Sequence, residues 1–175
     1  MNNIVRNGIL IAMALVLSLA ERWIPLGLVV PLPGIKLGLA NVVTMFALFF
    51  CGWQSAVAIT VLRSLLASMF FGGVISLALS LSGGLLALLV MAVLKLGNGK
   101  WITLIGISVA GAAAHNLGQV IMAAILLKSQ AVFYYLAILL LAAVVTGLLT
   151  GTVAEYLFKR LERIGFLKFS SGGRL

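Results

Sequence analysis

Three polar side chains that can hydrogen-bond or carry a proton lie close together inside a long apolar run. His115, Asn116 and Gln119 interrupt residues 101–127, which are otherwise mostly apolar or small. At about 100° per residue, His115 and Gln119 fall one turn apart on a helix, and Asn116 shares their sector. A polar cluster at membrane depth is costly, so it is expected to face protein or a cavity. Two interpretations stay open: the cluster binds a substrate or ion, or it only hydrogen-bonds to neighbouring helices.

A single arginine, Arg63, stands in the middle of another apolar run, residues 53–71. A charge at that depth costs at least about 2.5–3.5 kcal/mol on insertion scales and needs an anion or several carbonyl groups. The acidic residues of the chain are Glu21, Glu155 and Glu162, and Glu21 and Glu155 are expected at helix ends, away from the level of Arg63. Two interpretations stay open. In the first, a ligand anion or a partner subunit supplies the group that pairs with Arg63. In the second, the guanidinium caps carbonyls, meets a bent glutamate side chain or extends to the headgroups.

Two more polar residues flank the start of the second apolar run. Lys36 could meet an anionic ligand or anchor the span at the lipid headgroups, and Asn41 lies near the same end. His115 could shuttle a proton, although a neutral imidazole that donates one hydrogen bond is the commoner arrangement. The candidate substrate-binding set is therefore Lys36, Asn41, Arg63, His115, Asn116 and Gln119.

The elements that must position these residues are membrane helices. The chain is 63% hydrophobic and only 9% charged, against about 25% charged residues in soluble domains, and its mean hydropathy is +1.27. Continuous apolar runs favour helices over a barrel. The sequence predicts an all-α polytopic membrane protein, one domain of six transmembrane helices. The predicted spans are residues 8–24, 37–50, 53–71, 73–94, 101–127 and 131–157, followed by a basic tail at 159–175.

The basic residues behind the net charge of +9 lie unequally on the two sides of the predicted bundle, and this inequality indicates its orientation. With six spans, the side that holds both termini carries eight basic residues: Arg6, Lys95, Lys100, Lys159, Arg160, Arg163, Lys168 and Arg174. The other side carries three: Arg22, Lys36 and Lys128. This excess predicts cytoplasmic termini in a bacterial inner membrane. No basic block is interleaved with aromatic residues, so nucleic-acid binding is not expected.

Several kinds of chemistry are excluded by composition. Cys51 is the only cysteine, His115 the only histidine, and there is no aspartate, so no internal disulfide, zinc site or Asp-rich magnesium site can form from this chain alone. Residues 97–100 lack the first glycine of a phosphate-binding P-loop. We expect no catalytic residue, metal or cofactor in this chain, and any ATP would be used by partner subunits.

Four segments carry a resemblance to a known family. They are Pro33-Gly-Ile-Lys-Leu-Gly-Leu-Ala-Asn-Val-Val-Thr44, Leu62-Arg-Ser-Leu-Leu66, Ser82-Gly-Gly84 and Ala113-Ala-His-Asn-Leu-Gly-Gln119. Over roughly residues 5–160 the chain resembles the Gx transporter family, also labelled heptaprenyl diphosphate synthase component I. That family is similar to the S components of energy-coupling factor transporters. The resemblance implies a six-helix protein that binds a small micronutrient and works with a transmembrane coupling subunit and two cytoplasmic ATPases.

The resemblance also implies roles for particular segments. Small residues on the first helix, here Ala14 and Ser18, would contact the coupling subunit, and the loop at residues 31–34 would cover the pocket. The expected function is substrate binding for ATP-driven uptake of a small, anionic micronutrient or precursor. The alternative is a non-catalytic membrane subunit of polyprenyl diphosphate or menaquinone side-chain synthesis. Catalysis is not expected there, since prenyl synthases use aspartate-rich motifs that this chain lacks.

Overall fold

The computed structural model describes residues 3–23, 36–97 and 102–163, most of which are helical. The six α-helices are α1 (Asn3–Ala20), α2 (Asn41–Phe50), α3 (Trp53–Phe71), α4 (Gly73–Lys95), α5 (Leu104–Leu127) and α6 (Leu136–Arg163). A 3-10 turn, Glu21–Trp23, follows α1, and a 3-10 segment, Gln130–Tyr135, precedes α6. These described residues contain no β-strand, and the predicted all-α membrane fold is confirmed.

Five of the described helices are long and apolar enough to cross a membrane, and α2 is the exception. Its 10 residues rise about 15 Å, half of a hydrocarbon core of about 30 Å. The predicted second span, 37–50, is therefore too long as a helix, because residues 36–40 are non-helical. The predicted tail also begins too early, since α6 continues to Arg163. The expected loop at 31–34 and the tail residues 164–175 lie outside the described residues.

Helices α2 and α3 form an antiparallel hairpin with its turn at Gly52. Gly52 has a φ of +88°, a value that glycine adopts without a Cβ clash. Two polar pairs join the hairpin: the hydroxyls of Thr44 and Thr60 are 3.3 Å apart, and Asn41 bonds to Arg63. The first residue of α2 thus lies level with the middle of α3.

The bundle has two ends, named here the Gly52 end and the Gly72 end after the turns that begin and end α3. The amide of Asn7 in α1 lies 3.3 Å from the hydroxyl of Ser55 at the start of α3, so α1 starts at the Gly52 end. The ring of Phe158 in α6 contacts the ring of Phe50, with 4.5 Å between centroids, so α6 finishes at the Gly52 end. Asn3 and Arg163 therefore lie at one end of the bundle.

Close approach of backbones holds α4, α5 and α6 together. A Cβ added at Gly147 would lie 2.5 Å from Cα of Val109, and one at Gly118 would lie 2.8 Å from the carbonyl oxygen of Ser82. The hydroxyls of Ser108 and Thr150 are 2.9 Å apart across the α5–α6 contact. Small residues permit such packing in a membrane, where the hydrophobic effect does not drive helices together. The polar residues of α5 are held in a fixed register between its two neighbours.

Candidate substrate-binding site

Buried polar residues from separate helices lie in one layer of the bundle. Arg63 is eight residues from the end of α3, Gln119 is eight from the end of α5, and Ser80 is seven from the start of α4. At 1.5 Å per residue, all three lie about 10–12 Å inside the Gly72 end. Because α2 begins level with Arg63, the non-helical residues 36–40 enter the bundle at this layer.

Gln119 supplies hydrogen bonds that the non-helical backbone lacks. Its Oε1 accepts from the amide N–H of Lys36 at 2.9 Å, and its Nε2 donates to the carbonyl oxygen of Lys36 at 2.7 Å. The ammonium of Lys36 donates to the hydroxyl of Ser80 at 3.1 Å. Non-helical backbone at membrane depth is tolerated only where protein or a cavity satisfies it. Gln119 thus anchors the segment that begins α2, a role for its side chain that the sequence did not indicate.

Glu21 is the carboxylate of this layer, and the prediction that it lies away from the level of Arg63 is wrong. Its Oε1 accepts from the backbone N–H of Leu39 and of Ala40, the latter at 3.4 Å. These groups precede α2, where unpaired N–H groups and the helix dipole favour a negative charge. Burial raises the pKa of Glu21, while Arg63, Lys36 and the two backbone groups act in the opposite direction. The carboxylate therefore lies close enough to interact electrostatically with both cations.

Arg63 is buried, with 3% of its surface exposed, and its hydrogen-bond partner is Asn41. Its Nη2 donates to Oδ1 of Asn41 at 3.0 Å, while Nε of Arg63 and Nδ2 of Asn41 are buried without a partner among the described residues. Gly84 makes room for the guanidinium, because a Cβ there would lie 3.2 Å from Nη2. Two buried donors of this layer thus have no acceptor among the described residues.

His115 is enclosed between two glycines of the quoted segments. A Cβ on Gly38 would lie 2.9 Å from Cδ2 of the imidazole, and one on Gly83 would lie 2.7 Å from the backbone oxygen of His115. Gly38 also has a φ of +85°, which other residues adopt at a cost. The Nε2 of His115 is buried with no hydrogen-bond partner in the described part of the chain.

Asn116 connects helices. Its Nδ2 donates to the carbonyl oxygen of Leu139 in α6 at 2.7 Å, and its Oδ1 lies 3.5 Å from Nε2 of Gln119. This geometry matches the interpretation of the α5 cluster as helix-to-helix contact, at least for Asn116.

The residues expected to contact a partner, Ala14 and Ser18, face the interior of the bundle. They are 0% and 3% exposed, because this face of α1 packs into the core. The exposed small residues of α1 are Gly8, Ala12 and Ala20. A partner helix reaching α1 would therefore meet a different face from the one that the sequence indicated.

The arrangement is rich in hydrogen-bond donors and poor in acceptors. The Glu21 carboxylate accepts from two backbone N–H groups and interacts electrostatically with Arg63 and Lys36, and Nδ2 of Asn41 is a further buried donor. Glu21 is one of only three acidic residues in the chain. Of the other two, Glu155 pairs with Lys159 within α6. With Glu21 ionised, two cations face one anion. The layer is suited to binding a compound that carries acceptor oxygens and a negative charge.

The four quoted segments meet in this layer. Gly38 and Asn41 come from the first, Arg63 from the second, Gly83 and Gly84 from the third, and His115 and Gln119 from the fourth. The glycines and Glu21 were not among the predicted site residues, although three of these four positions lie within the quoted strings.

Comparison with known proteins gives one family. Searches of curated proteins and of solved structures found no match. The family model described as heptaprenyl diphosphate synthase component I matches residues 10–157, most of the chain and all four segments that meet in the polar layer. The chain therefore belongs to the heptaprenyl diphosphate synthase component I family.

Proposed function

We propose that this protein is the substrate-binding membrane subunit of an ATP-driven uptake transporter of the energy-coupling factor type. Its ligand is a small compound with an anionic end. The observation that carries the proposal is the non-helical segment 36–40 inside the bundle, surrounded by buried polar groups. Transporters commonly build substrate sites from interrupted helices, because unwound backbone and helix ends supply polar groups within the membrane.

Each candidate residue has a place in this proposal. Arg63 and Lys36 supply positive charge, and Nδ2 of Asn41 and Nε2 of His115 are buried groups without partners among the described residues. Gln119 and Asn116 support the site indirectly. Gln119 fixes the backbone of Lys36, and Asn116 joins α5 to α6. The chain binds and orients the ligand, and we assign it no catalytic step, metal or cofactor.

Energy would come from partner subunits. The composition offers no P-loop in this chain, so ATP hydrolysis falls to two cytoplasmic ATPases that act through a transmembrane coupling subunit. Copurification tests this assignment: we expect the tagged protein, extracted in mild detergent, to retain a coupling subunit and ATPases and to carry an anionic small molecule visible in native mass spectrometry. Recovery of a soluble prenyl synthase with neither of those subunits would overturn it.

We place the Gly52 end in the cytoplasm. That end holds Arg6, Lys95 and the basic end of α6, whereas Lys128 lies at the opposite end, and basic residues favour the cytoplasmic side. The test uses a Cys51→Ser background with either Tyr134→Cys or Leu96→Cys, at positions 87% and 85% exposed at opposite ends. A membrane-impermeant maleimide applied to whole cells or spheroplasts should label only the Tyr134→Cys variant. Labelling of only the Leu96→Cys variant would reverse the orientation.

A second candidate function is favoured by the family description. A chain described as a component of heptaprenyl diphosphate synthase could be a non-catalytic membrane subunit in polyprenyl diphosphate or menaquinone side-chain synthesis. A diphosphate group is also anionic and rich in acceptor oxygens, so it fits the same donor-rich layer. The copurification experiment separates the two functions by the partner that is recovered.

A further inference from the structure

The carboxylate of Glu21 occupies a position where a ligand anion would be recognised. It accepts hydrogen bonds from two consecutive backbone N–H groups, those of Leu39 and Ala40. Consecutive N–H groups at a helix start form a ready anion site, because the dipole and the unpaired donors act together. Here the side chain that fills the site comes from the turn after α1, 18 residues earlier in the chain.

A second observation points to a ligand at the same place. Nε of Arg63 and Nδ2 of Asn41 are donors on side chains that are 3% and 6% exposed, and both lack partners among the described residues. Buried donors are normally satisfied, so each such group needs an explanation. The single carboxylate of Glu21 already accepts from two backbone N–H groups. Nε of Arg63 and Nδ2 of Asn41 are therefore left without an acceptor among the described residues. An oxyanion with more acceptor oxygens, such as a phosphate or a larger carboxylate, would satisfy them.

Charge favours the same conclusion. The ionisable groups that face Glu21 are Arg63 from α3 and Lys36 from the segment before α2, and His115 lies behind Gly38 on the α5 side. From the start of α4, the described helix offers no acid or base before Lys95. Two cations against one carboxylate leave a surplus of one positive charge when Glu21 is ionised.

We propose that Glu21 is an internal competitor that holds the anion position at the start of α2, and that a ligand oxyanion replaces it on the Leu39 and Ala40 N–H groups and beside Arg63. The inference rests on the proposed binding of an anionic ligand. Replacement frees the turn after α1 from the start of α2, because Glu21 makes the hydrogen bonds that join them. Ligand binding is thereby coupled to the contact between these two elements.

Acidic pH should assist the replacement. Because burial raises the pKa of Glu21 from its ordinary value of 4.5, its carboxylate takes up a proton at a higher pH than an exposed glutamate does. A protonated Glu21 no longer competes as an anion, so ligand binding tightens as pH falls. The stability contribution has the same sign: it is complete below 4.5 and is lost as pH rises through the raised pKa of Glu21.

The experiment measures binding of radiolabelled sulfate to the purified protein in lipid nanodiscs, because sulfate keeps its charge over the pH range used. In the wild type, affinity should rise as pH falls from about 8 to about 5. The Glu21→Gln variant should bind sulfate roughly tenfold more tightly than the wild type at about pH 8. It should also lose most of the pH dependence, because the carboxylate that takes up a proton is gone. The matched control Glu155→Gln removes a carboxylate that pairs with Lys159 in α6 and should behave as the wild type.

The outcomes separate this inference from the function on which it rests. If wild type and Glu21→Gln bind sulfate equally at every pH, and Arg63→Gln abolishes that binding, the anion site stands and the competitor role of Glu21 is wrong. If neither protein binds sulfate at any pH, the anionic ligand itself is wrong. Should Glu21→Gln fold poorly, the wild-type pH series decides the matter alone, and an affinity that does not rise towards low pH would overturn the inference.

Discussion

Replacing Gly147 by leucine should separate α5 from α6 and destabilise the protein more than any surface substitution. A Cβ at Gly147 meets Cα of Val109 at 2.5 Å, and Cα and N of Val109 belong to the backbone, which cannot rotate away as a side chain can. Overpacking of this kind typically costs about 1–3 kcal/mol, and each kcal/mol lowers Tm by about 2–4 °C in a domain of this size. Thermal unfolding in detergent or nanodiscs measures the loss.

Gly8→Leu is the matched control for this prediction. Gly8 lies on the exposed face of α1, and a Cβ there meets nothing within 4 Å. The same change should therefore be neutral or slightly stabilising, because glycine in a helix costs roughly 0.5–1 kcal/mol relative to alanine. Equal unfolding temperatures for the two variants would show that the α5–α6 contact tolerates separation and does not set the position of the α5 cluster.

The long helices were predictable from hydropathy because each must satisfy its own backbone within the membrane. The predicted span 53–71 coincides with α3, and 73–94 differs from α4 by one residue. The predicted second span, 37–50, was too long because hydropathy depends on side chains and not on backbone hydrogen bonding. Leu37 and Leu39 are as apolar as a helix requires, yet residues 36–40 are non-helical. The N–H groups of Lys36 and Leu39 donate to the side chains of Gln119 and Glu21 instead, 83 and 18 residues away in sequence.

The individual polar residues of the site were also predictable, since a polar side chain within an apolar run is visible in the sequence. Their partners were not. Gln119 shares a helical face with His115, which suggested a common ligand, whereas its side chain bonds to the backbone of Lys36. Such a contact depends on where a non-helical segment enters the bundle, and periodicity along one helix carries no information about that.

Glu21 was misplaced because depth was inferred from position along straight, full-length helices. That inference puts the carboxylate at the membrane surface and Arg63 at the centre. In the structure α2 begins inside the bundle, so the chain that follows Glu21 returns to meet it at Leu39 and Ala40. A clue was present in the sequence: the chain has three acidic residues, and one of them precedes the stretch of sequence that contains every proline.

The charges of Glu21 and Arg63 should depend on each other, and a double substitution tests this. At about pH 8, Arg63→Gln removes the charged donor to Asn41 and leaves Glu21 with Lys36 as its remaining cation. We expect a loss of roughly 1.5–3 kcal/mol in the free energy of unfolding, the usual contribution of a hydrogen bond to a charged group.

Adding Glu21→Gln to Arg63→Gln should recover part of that loss, because no uncompensated carboxylate then remains buried. Coupling between interacting residues is typically 0.5 to about 3 kcal/mol, so denaturant unfolding of the wild type, the two single variants and the double variant can resolve it. Replacing Glu155 instead of Glu21 on the Arg63→Gln background should recover nothing, since Glu155 pairs with Lys159 in α6. Strict additivity of the two substitutions would mean that Glu21 does not neutralise Arg63.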